Sequence, residues 1–253
     1  MLKKIKSKGL DISLNKYISD TGFCSRREAD KYIDECRVTI NGKDAQKGNR
    51  VQEGDDVRID GEPLKKKKAT VYIMLNKPKG ITCTTDTKDK TNIIDFVNYK
   101  TRIFPIGRLD KLSDGLIFLT NDGDIVNKIL RAGNGHDKEY VVTVDKPIEA
   151  EFINKMRNGV RILGTTTNKC FVKQEGEKRF RIILTQGLNR QIRRMCEVLG
   201  YRVVTLTRIR IMNITLSGLA PGKWRLFNPA EISALGELLK YSSKTADGDG
   251  MGE

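Results

Sequence analysis

The run Gly61-Glu62-Pro63-Leu64-Lys65-Lys66-Lys67-Lys68 constrains this chain of 253 residues most, because it separates two stretches that must fold by themselves. Glycine, proline and consecutive like charges resist packing and extend a chain, so residues 61–70 read as a lysine-rich linker. Before it lie a basic lead-in, residues 1–11, and a small module, residues 12–60. After it, residues 71–240 are long enough for a core of ordinary domain size. Residues 241–253 are rich in Gly, Ser and Asp, lack apolar content and are expected to be disordered.

Charge narrows the partners. The 47 Lys and Arg residues exceed the 32 Asp and Glu residues by a formal charge of +15. Such an excess attracts polyanions through counterion release, which makes nucleic acid the expected partner. Acidic membrane is the competing sink, but no apolar run approaches the ~20 residues that a span needs. The start, MLKKIKSKGLDI, has the charges of a signal peptide without its apolar centre, so a cytoplasmic location is expected.

Cys24, Cys36, Cys83, Cys170 and Cys196 are odd in number and scattered, which argues against a disulfide framework or a CxxC metal site; they read as buried or half-buried thiols. The only histidine, His136, stands in Gly133-Asn134-Gly135-His136-Asp137 and reads as a solvated loop residue. Zinc chemistry and Ser-His or Cys-His catalysis therefore lack parts, and no Walker or dinucleotide fingerprint appears. No metal and no cofactor are expected. Carboxylates, tyrosines and basic residues must carry any chemistry, and nothing demands more than a monomer.

In the small module, Ser25-Arg26-Arg27-Glu28 has the pattern of a capping box, and Ala29, Tyr32, Ile33 and Cys36 recur on one helical face. Val38-Thr39-Ile40 then runs into Asn41-Gly42, a hairpin signal, and Val57-Arg58-Ile59 supplies a later strand. Arg26 and Arg27 fall in the first helical turn, where the dipole disfavours cations by a few tenths of a kcal/mol. A docked phosphate reverses that penalty; a solvated basic face is the other reading. Leu14-Asn15-Lys16-Tyr17-Ile18, the run from Gly22 to Asp30, and Val38, Asn41, Gly42 and Lys43 together resemble the S4 RNA-binding domain. The resemblance implies a helical face that grips folded RNA.

Beyond the linker, apolar runs at Val71 to Leu75, Leu116 to Leu119, Val141 to Val144 and Phe180 to Leu184 read as strands. They alternate with helical stretches near Ile93 to Val97, Ile125 to Leu130, Glu149 to Met156, Gln191 to Leu199 and Ala230 to Lys240. A mixed α+β domain is expected. Its sharpest segment is Phe104-Pro105-Ile106-Gly107-Arg108-Leu109-Asp110-Lys111-Leu112-Ser113-Asp114-Gly115-Leu116, a polar loop that feeds an apolar strand. A lone Asp in such a loop is most often a turn residue. Here Lys77-Pro78-Lys79-Gly80, Lys138-Glu139-Tyr140 and the run from Gly187 to Met195 accompany it.

Together these four segments resemble, in order, the motifs of the pseudouridine synthases, in the branch of ribosomal enzymes that carry an S4 domain. The likeness spans residues 12–240. It implies a small S4 domain of α-L type followed by a mixed, mainly antiparallel sheet with flanking helices. The implied activity isomerises one uridine in structured RNA, with large-subunit rRNA first. Small-subunit rRNA and a tRNA anticodon arm are alternatives, and a non-catalytic ribosome-assembly factor is the rival of another class. Isomerisation within one nucleotide needs neither redox equivalents nor phosphate energy, in keeping with no cofactor.

The resemblance makes Asp110 the carboxylate that acts at ribose C1′ while the glycosidic bond breaks, the base turns and C5 rebonds. Burial disfavours a carboxylate's charge, so a cation must stand beside it. On the helix from about Arg190, the apolar stripe Ile192, Met195, Cys196 and Leu199 leaves Arg193 at its edge, able to reach inward. Arg190 and Arg194 point outward on that wheel and are expected to contact phosphates. The family's salt-bridging arginine also falls on Arg193.

Tyr140 begins an apolar strand, where packing is the ordinary role; the resemblance makes it the ring that stacks on uracil and a candidate for proton transfer. Arg108 is expected to point at RNA; the resemblance implies that it fills the space of an extruded nucleotide, and an ordinary phosphate contact is the other reading. Leu184 walls the uracil pocket or simply packs the core. Arg208 and Arg210, two apart between Ile209 and Ile211, are expected to form an exposed basic stripe on a strand, and Lys77 belongs to a basic turn beside phosphates.

Overall fold

The computed structural model describes residues 11–64 and 69–242, in two units that divide between Thr70 and Val71. The expected lead-in before Asp11, Lys65 to Lys68 and the tail beyond Ser242 lie outside the described residues.

The first unit comprises β1 (Asp11–Ser13), α1 (Leu14–Asp20), α2 (Arg26–Asp34), β2 (Val38–Ile40), β3 (Lys43–Asp44), β4 (Arg50–Gln52), β5 (Val57–Ile59) and β6 (Glu62–Pro63). The Ser25 hydroxyl accepts from the Glu28 N–H (3.2 Å) while Glu28 accepts from the Ser25 N–H (2.7 Å), so the capping box opens α2 as its spacing predicts. Leu14 and Ile18 of α1, Ala29 and Ile33 of α2, and Val38, Val51, Val57 and Ile59 form one core. Asn41 and Gly42 both take positive φ (52° and 76°), the twist that a two-residue hairpin requires between β2 and β3.

Two local expectations change. Cys36 lies past the end of α2 in a left-handed conformation (φ 54°) and is exposed, because the helix stops at Asp34 before its next turn completes. Gly61 to Leu64 do not extend away: β6 pairs with β5, and Leu64 packs against the core. Pro63 fits there because it stands on a sheet edge, where no ladder N–H is missed.

The second unit contains β7 (Tyr72–Lys77), α3 (Ile93–Val97), β8 (Phe104–Ile106), β9 (Asp114–Thr120), α4 (Gly123–Leu130), β10 (Lys138–Val144), α5 (Ala150–Asn158), β11 (Arg161–Ile162), β12 (Thr165–Thr166), β13 (Phe171–Gly176), β14 (Arg179–Leu184), α6 (Gln191–Val198), β15 (Val203–Ile211), β16 (Ile214–Thr215), β17 (Trp224–Leu226) and α7 (Pro229–Leu238). The main sheet runs β13-β14-β10-β15-β9-β7-β17, with β8 beside β9 and β16 beside β15. Every pairing is antiparallel except that of β15 with β9.

Continuous apolar runs in β7 and β9 follow from burial on both faces. Ile73, Leu75, Ile117 and Leu119 pack toward α3, while Met74, Leu116 and Phe118 pack toward α4 and α7. A third core joins α5 and α6 to β10, β13 and β14. Strand β15, the last long one in sequence, lies between β10 and β9 and so joins the two halves of the sheet. At its parallel contact Gly115 takes φ +105°, and a Cβ there would stand 2.3 Å from the Arg208 carbonyl oxygen. Only glycine permits this approach.

Candidate active site

The loop between β8 and β9 is pinned from below. Leu109 is buried, and its N–H donates to Cys83 Sγ (3.4 Å). The Gly80 N–H donates to the Lys111 carbonyl (2.8 Å), and the Ser113 N–H donates to the Asp110 carbonyl (3.0 Å). With Leu109 anchored in the core, Arg108 is exposed and the Asp110 carboxylate stays one-third accessible (33%).

Arg193 reaches that carboxylate from α6, as the wheel predicts: its Nε lies 3.4 Å from Asp110 Oδ2. The guanidinium is buried and held independently, donating to Ser113 Oγ (3.0 Å) and to the Val203 carbonyl (3.4 Å). Its Nε has no hydrogen-bond partner, so it meets Asp110 through charge. Arg190 departs from expectation. It does not face away; its Nη1 lies 3.6 Å from the same Oδ2. The wheel fails for Arg190 because this residue precedes the helix as its N-cap, in a left-handed conformation (φ 50°). Arg194 does turn from the carboxylate and donates to the Asn189 carbonyl and side chain.

Asp110, Arg190 and Arg193 open onto a cavity of about 720 Å³, which Arg108, Tyr140, Leu184, Lys138 and Arg208 also line. That size lies within the ordinary range for small-ligand sites. Tyr140 is half-buried at the start of β10, with Leu184 on neighbouring β14 as an apolar wall. Lys138 and Tyr140 share a face because side chains two apart in a strand point the same way.

Arg208 and Arg210 are a second correction, for they form no exposed stripe. Strands β10 and β15 slip by one residue between Glu139 and Tyr140, so Arg208 stands opposite Tyr140 and Arg210 opposite Glu139. Such a bulge turns two residues of equal parity to opposite faces of the sheet. Arg208 is buried on the cavity side, donating Nε to the Leu116 carbonyl (2.7 Å), with its guanidinium 5.9 Å from the Tyr140 ring centre. Arg210 and Arg181 instead grip Glu139. Burial pushes that carboxyl up, but the two hydrogen-bonded guanidiniums outweigh it and hold Glu139 below its ordinary range.

Lys77 is a third correction. It is completely buried (0% exposed), its ammonium donating to the Pro78 and Ile81 carbonyls (both 2.9 Å), and so cannot meet a phosphate. It closes the turn beneath the site, and burial pushes its ammonium down from the usual lysine range. His136 is half-buried rather than freely solvated: Nε2 lies 2.9 Å from Ser242 Oγ, and burial pushes the imidazole down. Among the described residues no cluster of His, Cys, Asp or Glu could hold a metal ion, and no helix is long and apolar enough to cross a membrane.

Considered alone, the first unit exposes Arg26 and Arg27 on the opening turn of α2. Beside them Phe23 is half exposed (50%) and meets the Tyr32 ring edge-on (5.5 Å), while Arg37 covers that ring at 4.3 Å. Cationic groups with an accessible aromatic face form a surface suited to phosphates and bases.

Sequence reasoning overlooked Ser113 and Lys138. Ser113 lies within the Asp110 segment, yet a serine so close to a turn gives no sign that it will orient Arg193 from 80 positions away. Lys138 was legible through its even spacing from Tyr140. A carboxylate faced by two guanidiniums beside a tyrosine and an apolar wall can hold a flat pyrimidine while anionic chemistry proceeds at its sugar.

The RNA pseudouridylate synthase family matches residues 71–198, and the S4 domain matches residues 13–57. The Dual-specificity RNA pseudouridine synthase RluF of Escherichia coli (strain K12) is 58% identical, with 92% of this chain and 81% of that protein covered. The Ribosomal large subunit pseudouridine synthase B of Bacillus subtilis (strain 168) is 35% identical over 90% of this chain and 97% of that protein. A crystal structure of a pseudouridylate synthase superposes with a TM-score of 0.65 at 28% identity, covering 88% of this chain and 99% of that one. The motifs, the sheet and the pairing of Asp110 with Arg193 thus converge on one conclusion: the chain belongs to the RNA pseudouridylate synthase family and is an isomerase with an S4 RNA-binding domain.

Proposed function

We propose that this synthase isomerises a uridine of large-subunit rRNA and takes a tRNA anticodon arm as a second substrate. The contact of Asp110 with Arg193 at 3.4 Å, at the floor of a cavity walled by Tyr140 and Leu184, carries the chemical part. The substrate part is supported by the E. coli relative, whose name gives dual specificity, and by the B. subtilis relative, whose name gives the large ribosomal subunit.

Each side chain then has a task. A uridine in a stacked loop must leave its stack at a cost of a few kcal/mol, and exposed Arg108 fills the space behind it. Tyr140 stacks on the extruded base, an interaction worth roughly 1 to 3 kcal/mol that survives rotation of the ring. Leu184 closes the other side. Asp110 acts at C1′ as the glycosidic bond breaks, and Arg193, fixed by Ser113 and Val203, holds the carboxylate in place through its charge. Arg190 and Arg194 at the α6 entrance, with Arg26 and Arg27 in the S4 domain, bind phosphates.

Tritium release from C5-labelled uridine tests the substrate assignment. Release is expected from large-subunit rRNA and from a tRNA anticodon stem-loop; release from small-subunit rRNA alone contradicts it. The S4 surface has its own test. Arg26→Glu with Arg27→Glu should weaken RNA binding at least tenfold and lower the slope of log K against log salt by about 1 to 2, as two phosphate contacts are lost. Unchanged binding across several salt concentrations places the RNA elsewhere.

A further inference from the structure

Pseudouridine formation ends with a proton transfer, a step for which the family resemblance offers Tyr140 as one candidate. Once C1′ has bonded to C5, that carbon carries both the sugar and its own hydrogen. The proton must leave, and the C–H electron pair returns to the ring to restore the C5=C6 double bond. N1, released from the sugar, takes up a proton, so atoms and charge balance without any co-reactant. A base near the uracil edge is all the step requires.

We propose that the Lys138 amine is the base that removes the C5 proton. Its side chain is buried (6% exposed), lines the cavity and projects from the same face of β10 as Tyr140, the ring assigned to hold the uracil. The ammonium donates to the His136 carbonyl (3.0 Å) and pairs with no carboxylate among the described residues. Lysine presents three donors, so this contact leaves valences directed elsewhere.

The surroundings shift the balance toward the neutral amine. Burial pushes Lys138 down to about 8, Arg208 on β15 pushes the same way, and only Asp137 opposes them. His136, itself pushed down by burial and by Lys138, is a further titratable neighbour; Tyr140 stands two residues on along its own strand, and Asp110, Arg190 and Arg193 line the same cavity. Its neighbour on β14 is Leu184, which adds no charge. A buried lysine without a counter-ion, in a cavity and poised near neutrality, matches what general-base catalysis requires. A lysine that merely braced the His136 carbonyl would need only its donor and its charge.

Lys138→Arg separates the two roles, since arginine keeps donor and charge but stays protonated at every working pH. The full chain and 5-deuterated uridine RNA are used. The variant should melt within a few degrees of the parent and bind RNA normally, while single-turnover isomerisation falls ~100-fold or more and a primary isotope effect emerges. Lys138→Ala should regain part of the rate when methylamine is added. In the parent enzyme the rate on deuterated RNA should climb with pH and level off above about 8. Near-parental turnover in Lys138→Arg overturns the proposal, as does slow turnover without an isotope effect, which marks a positioning role. Should Lys138→Arg fail to fold, the parental profile decides: a rate on deuterated RNA that is flat from about pH 6.5 to 9.5 removes Lys138 from the reaction.

Discussion

Asp110→Asn should abolish C5 tritium release, by about a thousandfold or more, and leave RNA affinity within about twofold. The amide occupies the same volume but brings neither negative charge nor nucleophilic oxygen to C1′. Arg193 retains its bonds to Ser113 Oγ and the Val203 carbonyl, so the α6 entrance keeps its shape and the fold should survive. On the proposed roles, binding rests on phosphate contacts and on stacking at Tyr140; of the residues involved only Arg190, 3.6 Å from the Asp110 carboxylate, meets the substituted group. Tritium release under single-turnover conditions, with affinity measured by filter binding, checks both halves. Turnover above about one per cent of the parent would move the chemistry to another group.

Gly115→Ala should be strongly destabilising. The added Cβ would meet the Arg208 carbonyl oxygen at 2.3 Å and its nitrogen at 2.6 Å, both backbone atoms that cannot rotate aside. The φ of +105° adds strain that alanine cannot relieve. Overpacking and backbone strain together should cost about 3 kcal/mol or more. Because Gly115 follows the Asp110 loop and faces Arg208, folded molecules should also lose turnover. A urea-denaturation midpoint equal to the parent's would show that β9 and β15 can part without penalty.

Much of the site could be read in the residues. By its residues alone the Asp110 loop favoured a turn role, and the family resemblance of its segment singled it out, while the apolar stripe of α6 left Arg193 at an edge from which it could reach inward. The double-faced burial of β7 and β9 was written in unbroken apolar runs. What failed did so for geometric reasons. A helical wheel presumes helical dihedrals, which Arg190 lacks, and strict alternation presumes an unbroken ladder, which the slip between β10 and β15 denies to Arg208 and Arg210. Lys77 looked like a surface cation because its neighbours Pro78 and Gly80 announce a turn; the carbonyls that bury it come from that turn's own backbone. Short edge strands such as β13, where Val172 alone is buried, leave little hydrophobic imprint.

The late insertion of β15 between β10 and β9 has a consequence for biosynthesis. Asp110 belongs to the half-sheet of β7 to β9, whereas Tyr140, Leu184 and Arg193 belong to the half built from β10, β14 and α6. A ribosome that has released the chain only as far as Val198 has already made all four residues, but not the strand that unites them. Up to that point the two half-sheets that carry these residues lack the strand between them. Asp110 can meet its three partners across a continuous sheet only with the stretch through Ile211 in place.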